Sequence, residues 1–270
     1  MRSGRGHVVI VGGNFAGIAA ARRIGRGHRV TVIDPSPWFE WLPNIHELVS
    51  GRKSPAALRL SRARLVKAAG HRFLRDTVRS IDATRGQLTT ERGNTLRFDA
   101  CIVAVGGVND TFGVRGADRH ALPFKTVAHC AAIGSRLAAL AREPHRRDVV
   151  VVGAGLEGIE ALGEILTRFG DDGLQLTLVE AGERLLPGTP VALGEHVRRR
   201  LTAASVRVRT GTRVERVGPR RITLASGEIL PAAATIWTGG VRPPKLLADA
   251  GLDRGGGGWA PVRSTLQSEM

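Results

Sequence analysis

The first segment with a clear hydrophobic pattern lies near the start of the chain. An apolar run at residues 8–11 is followed by a glycine-rich turn at 12–17, a helical pattern through residue 24 and a second apolar run at 30–33 that ends at Asp34. Continuous β-branched runs are typical of strands that are buried on both faces. The pattern therefore predicts a parallel strand–helix–strand unit with a right-handed crossover.

The same order of elements recurs in the second half of the chain. An apolar run at 149–152 leads into a turn at 153–158, a helical pattern through residue 169 and a run at 174–179 that ends at Glu180. Apolar residues within this helical pattern recur at steps of three and four, which predicts one face packed on a sheet. The sequence thus indicates an internal duplication of architecture.

Short segments separated by turn residues follow each of these units. After the first unit, the segments 72–78, 87–90 and 96–98 predict a small antiparallel meander, and an apolar strand follows at 101–105. The second half repeats this order with segments at 206–209, 213–217, 222–224 and 234–237.

These patterns predict the α/β class, with two Rossmann-like dinucleotide-binding domains that each combine a parallel sheet and a small antiparallel meander. We expect residues 1–115 to form the first part of one domain and residues 116–237 to form the other. Residues 238–270 would return to the first domain, where the glycine run at 255–258 predicts a flexible tail. A chain of 270 residues is long enough for two such domains.

Each glycine turn is placed where it can hold a pyrophosphate. Glycines let the backbone approach the phosphates, and the unpaired N–H groups of the following helix face them. An acid at the end of the next strand accepts hydrogen bonds from the adenosine ribose. Asp34 follows Gly12 by 22 residues and Glu180 follows Gly153 by 27 residues, close to the expected spacing of about 20. Two such units indicate two dinucleotides, a flavin and a nicotinamide, with hydride transfer between them.

Two details modify this interpretation. The middle glycine of the first motif is replaced by Asn14, which tolerates the turn but whose side chain is expected to crowd the pyrophosphate. Glu180 favours NADH over NADPH, because a carboxylate accepts from a free 2′-hydroxyl and repels a 2′-phosphate. Arg184 lies near enough in sequence to pair with such a phosphate, which weakens the preference.

The charge balance is strongly basic. There are 40 Lys and Arg residues against 24 Asp and Glu, and only four of the basic residues are lysine, so that 36 are arginine. A formal charge of +16 favours anionic partners. A nucleic-acid-binding protein is an alternative, but the arginines are scattered and accompany no recognition motif, so no specific nucleic-acid partner is expected.

The remaining composition argues against several kinds of site. Cys101 and Cys130 have neither disulfide-scaffold nor metal-ligand spacing, and each lies in an apolar segment, so we expect core residues and no metal site. No run of 18 apolar residues and no apolar signal-peptide core is present, which predicts a cytoplasmic protein without a transmembrane helix.

Motifs along nearly the whole chain occur in an order that is known from one protein family. They lie at residues 8–17, 41–43, 50–51, 104–107, 112–114, 124–126, 152–160, 177–182 and 237–243. Together they resemble the type II NADH dehydrogenases, the NADH:quinone oxidoreductases of the flavin-dependent pyridine nucleotide-disulfide oxidoreductase superfamily.

The resemblance implies FAD on the first unit and NADH on the second. In the first half it implies as cofactor-binding residues Gly12, Gly13, Asn14, Phe15, Ala16, Gly17, Asp34, Pro35, Val78, Ala104, Val105 and Gly106. In the second half it implies Gly153, Ala154, Gly155, Leu156, Gly158, Glu180, Gly239 and Gly240. Glu160 and Pro43 are implied to lie at the reacting rings as catalytic residues.

The implied activity is hydride transfer from NADH to bound FAD, with the electrons passed to a quinone or another acceptor. One alternative is a noncatalytic nucleotide-binding remnant. Another is a flavoprotein like the sulfide:quinone oxidoreductases, although those enzymes need cysteines near the flavin, and the sequence offers no convincing pair. The redox-active cysteine pair of disulfide reductases, expected near residues 40 to 50, is also missing.

Members of the resembled family continue beyond the region where this sequence stops. We therefore expect a C-terminal truncation, in which the domain that carries the quinone pocket and the membrane-docking helices is missing, and full quinone reductase activity is in doubt. Peripheral contact with the inner face of the cell membrane and a homodimer are left open as further expectations.

Overall fold

The computed structural model describes residues 6–145, 147–253 and 257–269. Part of the predicted flexible tail, residues 255 and 256, lies outside these ranges. The chain forms two compact units. The first consists of Met1–Glu40, Arg59–Val108 and Arg242–Met270, and the second of Trp41–Leu58 and Asn109–Val241.

Some strands are separated by helices along the chain, and others follow one another without an intervening helix. The strands are β1 (His7–Val11), β2 (Arg29–Ile33), β3 (Trp38–Glu40), β4 (Arg59–Ser61), β5 (Arg72–Leu74), β6 (Val78–Asp82), β7 (Gln87–Thr90), β8 (Thr95–Arg97), β9 (Ala100–Val103), β10 (Val108–Asn109), β11 (Leu122–Pro123), β12 (Asp148–Val152), β13 (Gln175–Val179), β14 (Arg207–Arg209), β15 (Val214–Val217), β16 (Arg221–Leu224), β17 (Ile229–Pro231), β18 (Ala234–Trp237) and β19 (Val241–Arg242). The helices are α1 (Phe15–Ile24), α2 (Glu47–Ser50), α3 (Arg62–Ala68), α4 (Ala117–His120), α5 (Val127–Leu140), α6 (Leu156–Phe169), α7 (Val191–Ala203) and α8 (Leu246–Asp249). Short 3₁₀ turns lie at Leu42–Asn44 and Pro55–Leu58.

The first unit is built on a parallel four-stranded sheet in the order β5-β2-β1-β9. On one face Ile10 packs in a cluster with Ile18 of α1 and Val66 of α3. On the other face Val11 packs with Leu88 of the meander. Because both faces of β1 are covered, the strand has to be apolar at successive positions, as its sequence is.

The antiparallel parts of the first unit are the meander β6-β7-β8 and the hairpin of β3 and β4. The prediction of one meander strand over residues 72–78 was wrong. Arg72–Leu74 pairs in parallel with β2, and the meander begins only at Val78. Two short strands separated by three residues had been taken for one, since neither is long enough to show its own periodicity.

The second unit repeats this plan with a five-stranded parallel sheet in the order β11-β18-β12-β13-β14. Val151 packs with Ile133 of α5 and Leu162 of α6, while Val150 faces Ile222 of the meander β15-β16-β17. The α/β class with two Rossmann-like units is confirmed. The prediction that residues 206–209 belong to the meander was wrong, because β14 pairs in parallel with β13.

Residues 41–58 pack in the second unit, which the sequence did not predict. Helix α2 lies against α5 and α6. The close approach to α5 depends on Gly134, since a Cβ there would lie 2.8 Å from Leu48 O and 2.9 Å from Val49 O. Ser50 donates a hydrogen bond to the buried carboxylate of Glu164 on α6. This segment is therefore held by the packing of α2 on α5 and by the hydrogen bond from Ser50 to Glu164.

In the described ranges we find no helix that combines the length and the hydropathy needed to cross a lipid bilayer.

The buried His7 at the start of β1 makes the first unit sensitive to acid. Its Nδ1 lies 2.7 Å from Arg97 O and its Nε2 lies 2.9 Å from the Thr31 hydroxyl. A carbonyl only accepts, so Nδ1 donates, and in the neutral ring Nε2 accepts from Thr31. Burial lowers the pKa of His7 below its ordinary value, and the positive charges of Arg29 and Arg72 lower it further.

The chain is therefore expected to lose stability as the pH falls from about 7.5 to about 5.5. The unfolded chain takes up a proton on His7 near its ordinary pKa of about 6.5, whereas the folded chain resists this proton until a lower pH. The free energy of unfolding, measured with urea at several pH values in this range, should depend less steeply on pH for His7→Gln than for the native chain. His28→Gln, at an exposed position, is the control. Equal slopes for H7Q and the native chain would contradict the assignment.

Candidate functional site

The first glycine turn is shaped by contacts that leave no room for side chains. Gly12 has φ +98°, and a Cβ on it would lie 2.3 Å from Ala104 O. A Cβ on Gly17 would lie 1.9 Å from Gly12 O. Helix α1 can therefore begin directly against the end of β1 only because both residues are glycine.

The second turn has the same construction. Gly153 has φ +103°, and a Cβ on Gly158 would lie 2.0 Å from Gly153 O. Thr238, which follows β18, donates its hydroxyl to Val152 O at 2.9 Å and to Gly153 O at 3.0 Å. The sequence analysis missed Thr238, because its role depends on how β18 pairs with β12.

Both helices begin without a side-chain cap. Neither the N-cap Asn14 of α1 nor the N-cap Gly155 of α6 provides a capping hydrogen bond from its side chain. A Cβ on Gly155 would meet nothing within 4 Å, and the next residue, Leu156, has two thirds of its surface exposed, at 66%. Phe15 at the equivalent position of α1 is also exposed. The first N–H groups of each helix thus remain available to an anion.

The predicted acids lie against their turns. Asp34 accepts from Gly13 N at 2.8 Å, and Glu180 accepts from Ala154 N at 2.6 Å, so the two acids have equivalent contacts. Glu180 accepts a second N–H, from Gly182, at 2.7 Å. A carboxylate offers about four acceptor positions, which leaves capacity for ribose hydroxyls.

Asn14 does not crowd the first turn, as we had expected it to do. Its Nδ2 donates to Glu40 O at 3.2 Å and its Oδ1 accepts from Glu40 N at 3.0 Å. The side chain therefore pairs with the backbone of β3. The backbone of Asn14 is extended, with φ −97° and ψ −143°, so no left-handed conformation is required of it.

A buried arginine that the sequence analysis missed lies behind the first turn. Arg62 at the start of α3 is 3% exposed and donates Nε to Gly13 O at 2.7 Å. Its Nη1 donates to Asp34 Oδ1 and to Ser36 O. Burial lowers the pKa of Arg62, while Asp34 opposes this shift.

Arg184, considered above as a partner for a 2′-phosphate, is held by the backbone. Its Nη2 donates to Leu186 O and to Thr189 O. Glu180 forms no ion pair with any residue in the described ranges. The carboxylate at this position therefore keeps its negative charge uncompensated.

Charged side chains of α6 face other parts of the second unit. Lys125 Nζ lies 2.9 Å from Glu157 Oε1, which compensates an acid in the first turn of the helix. Glu160 is about half exposed, and its Oε2 lies 3.8 Å from Nδ1 of His46. Pro43 lies in the 3₁₀ turn that precedes His46 in the same segment. Glu160 and Pro43 thus belong to one compact unit.

The other predicted residues occupy loops and strand ends. Val78 is buried at the start of β6, and Pro35 O accepts from Arg75 Nε at 3.2 Å. Ala104 contacts the first turn, as described above. Ala16 in α1, Val105 and Gly106 after β9, and Gly239 before β19 are further members of the predicted set.

Gly240 has a close aromatic neighbour. A Cβ on Gly240 would lie 2.5 Å from Phe112 Cζ. Phe112 has φ +49° and donates its N–H to Asp110 Oδ1 at 2.8 Å. Gly240 O accepts from Asp110 N at 3.0 Å. The loop around Phe112 and the loop after β18 are therefore held together within the second unit.

Neither cysteine is placed for chemistry. Cys130 is fully buried in α5, and Cys101 packs against the apolar cluster under the first meander, in agreement with the prediction of core residues. Burial raises the pKa of Cys101 to about 11. No metal-binding cluster of His, Cys, Asp or Glu occurs among residues 6–145, 147–253 and 257–269.

These contacts fit two dinucleotides. Each unit has a glycine turn, a helix start without a side-chain cap, and an acid at the end of the next strand that is hydrogen-bonded to the turn, in the order that nucleotide-binding sheets require. A family model for the pyridine nucleotide-disulphide oxidoreductases matches residues 6–270. The chain belongs to this family. The predicted superfamily and the prediction of an oxidoreductase are thereby confirmed.

Individual relatives show which members of the family this chain resembles. The chain is 24% identical over 284 residues to the demethylphylloquinone reductase NdbB of Synechocystis, covering 100% of this chain and 70% of that protein. It is 26% identical over 282 residues to a type II NADH:quinone oxidoreductase of Staphylococcus epidermidis, covering 94% and 70%. These relatives confirm the resemblance to type II NADH dehydrogenases.

A solved structure gives the same picture of the fold. NDH2 from Plasmodium falciparum in complex with NADH matches with a TM-score of 0.84 at 20% identity. The match covers 92% of this oxidoreductase and 57% of that chain. The oxidoreductase thus spans little more than half the length of this structural relative.

The close approach of helix to turn gives a test of the second site. Gly158→Ala should lower the free energy of unfolding by about 2–4 kcal/mol and weaken nucleotide binding, because the new Cβ forces the helix away from Gly153 O. Gly163→Ala in the same helix is the matched control, since a Cβ there meets nothing within 4 Å. It should stabilise the chain by about 0.5–1 kcal/mol. Urea denaturation measures both, and a G158A variant as stable as the native chain would refute the packing argument.

Proposed function

We propose that this oxidoreductase binds FAD and NADH and transfers a hydride from NADH to the flavin, as a dehydrogenase of the type II NADH dehydrogenase kind. The observation that carries the proposal is the pair of equivalent turns, each with an acid bonded to its second residue, at Gly13 and Ala154. A single turn would support only one nucleotide. Bound FAD would supply the ring that accepts the hydride and passes the electrons on.

The residues of each unit have distinct tasks in this proposal. The turn at 12–17 would hold the FAD pyrophosphate, Asp34 its ribose and Val78 its adenine through the backbone. The turn at 153–158 would hold the pyrophosphate of NADH, and Glu180 its ribose. We propose that the first unit, expected from the sequence at residues 1–115 with 238–270, is the FAD domain, and that the second, expected at 116–237, is the NADH domain; residues 41–58 pack with the second unit.

Four further residues are assigned to the reacting end of the cofactors. Gly239 and Gly240 would line the nicotinamide pocket, beside the Phe112 ring that packs on Gly240. Pro43 would lie beside the isoalloxazine. Glu160, half exposed and near His46, would hold a proton or a polar acceptor group close to the rings.

A quinone is proposed as the acceptor by analogy with the relatives, a demethylphylloquinone reductase and a type II NADH:quinone oxidoreductase. A quinone would reach its site from a membrane, so we propose peripheral contact with the inner face of the cell membrane. A homodimer is the proposed assembly. The excess of basic residues is suited to an anionic lipid surface.

An anaerobic visible spectrum tests the central proposal. The chain is incubated with FAD, desalted and titrated with NADH. We expect flavin bands that survive desalting and bleach on addition of NADH, because each turn offers unpaired helix N–H groups and an acid to a dinucleotide. Bands that wash away would overturn the FAD assignment. Bands that survive but do not bleach would favour the second candidate, a noncatalytic nucleotide-binding protein.

The same titration examines Glu160. Glu160→Gln should slow the bleaching of the flavin by NADH, because the residue would lie close to the stacked rings. A variant whose flavin is bleached by NADH at the native rate would remove Glu160 from the proposed mechanism. Glu195→Gln, at an exposed position of α7, is the control.

The choice of nicotinamide cofactor is tested at Glu180. Both of its carboxylate oxygens accept backbone N–H groups, and an amide at this position would turn its NH2 towards one of these donors. Glu180→Gln should raise the Kd for NADH about tenfold, the loss of one charge-assisted hydrogen bond worth about 1.5 kcal/mol. Binding is measured by calorimetry.

The Kd for NADPH should change less than that for NADH, because removing the negative charge also removes its repulsion of the 2′-phosphate. Glu183→Gln is the neighbouring control, which should leave both values unchanged. If E180Q bound NADH as tightly as the native chain, Glu180 would not contact the ribose.

A further inference from the structure

Arg62 is the feature of the first unit that the proposed function leaves unexplained. The side chain is almost completely buried, at 3% exposure, at the point where β4 passes into α3. Burying a guanidinium is costly unless its donors are matched by acceptors. The acceptors that Arg62 finds all belong to the nucleotide-binding end of the sheet: Gly13 O, Asp34 Oδ1 and Ser36 O.

The bond to Gly13 orients the peptide that follows. In a trans peptide the carbonyl and the next N–H point in opposite directions. Since Arg62 Nε donates to Gly13 O at 2.7 Å, the N–H of Asn14 is directed away from Arg62. This N–H is the first donor of the helix start, and its direction is therefore set before any phosphate is bound.

The bond to Asp34 fixes the acid in the same way. One carboxylate oxygen accepts from Gly13 N, and the other accepts from Ser36 N and from Arg62. The side chain is thus held in one orientation, and its charge is compensated by a buried cation. A bound ribose would therefore not have to order the side chain of Asp34.

The second unit forms the same turn without such a cation. Ala154 stands at the position of Gly13, and Glu180 has only backbone donors among the described residues. A glycine turn therefore does not need an arginine behind it. Gly13, in contrast, has to be glycine, because a Cβ would lie 2.5 Å from Arg62 Cδ.

We propose that Arg62 is a positioning residue that presets the first nucleotide site, acting through Asp34 and the Gly13 carbonyl. Preorganisation lowers the ordering cost of binding. The first site is therefore built to retain its dinucleotide, whereas the second site, which lacks the cation, is built to exchange its own. This inference rests on the proposed function, which assigns FAD to the first unit.

The test compares FAD binding by Arg62→Met and Arg62→Lys with that of the native chain, using quenching of flavin fluorescence. R62M should raise the Kd for FAD at least thirtyfold and speed its release. R62K should raise it about tenfold, because an ammonium cannot bond Gly13 O and Asp34 in a forked geometry. The Kd for NADH should stay within twofold in both variants. Arg64→Met, on the exposed side of the same helix, is the matched control.

A double-mutant cycle with Asp34→Asn separates positioning from simple structural support. If Arg62 acts in part through Asp34, then R62M should weaken FAD binding at least threefold less in the D34N background than in the native one, and the loss that remains is the part carried by the Gly13 carbonyl. Thermal unfolding of the chain without FAD is measured in parallel. A large loss of thermal stability with an FAD Kd within threefold of native would overturn the proposal.

Two other results would also overturn it. An undiminished effect of R62M in the D34N background would show that Arg62 does not work through the acid. Failure of both R62M and R62K to fold would make Arg62 a requirement of the fold and not of the site. A native chain that binds no FAD would instead refute the proposed function, which keeps the two failures distinct.

Discussion

The structure depends on the close approach of a helix to the end of a strand, which occurs once in each unit. A Cβ on Gly17 or Gly158 would lie 1.9 or 2.0 Å from the carbonyl of Gly12 or Gly153. This approach lets α1 and α6 start at the carboxyl edge of a parallel sheet. Within each unit, the unpaired N–H groups of the helix and the acid at the end of the next strand then lie at the same edge of the sheet. The placement of the helix and the geometry of the turn follow from the same steric constraint.

Within this shared plan, the two turns are completed by different chemistry. The first uses an asparagine that pairs with the backbone of Glu40 and a buried arginine that bonds Asp34. The second uses the hydroxyl of Thr238 and leaves the carboxylate of Glu180 without a cation in the described part of the chain. The duplication thus preserved the backbone geometry, while the charges around it diverged. Such a difference suits a protein that keeps one nucleotide and exchanges another.

The sequence predicted the parallel framework because burial on both faces forces continuous apolar runs such as residues 8–11 and 149–152. It predicted Asp34 and Glu180 because their distance from the turn is set by one helix and one strand. It failed at residues 72–74 and 207–209, where three-residue strands carry no periodicity of their own and pairing alone decides the sheet. Arg62 had no signal in the sequence: among the many arginines of the described ranges, only the fold distinguishes the one that is buried.

The division of the chain between the two units determines when each can be finished during synthesis. The second unit has all of its residues once Val241 has been added. The core of the first unit is incomplete until Leu246 of α8 and the following Ala250 have been added. These two residues pack in the same cluster as Val11. The turn at residues 12–17 therefore belongs to the unit whose core is completed last. During synthesis the residues of the second unit therefore emerge before the last core residues of the first unit, and the second unit can complete its core first.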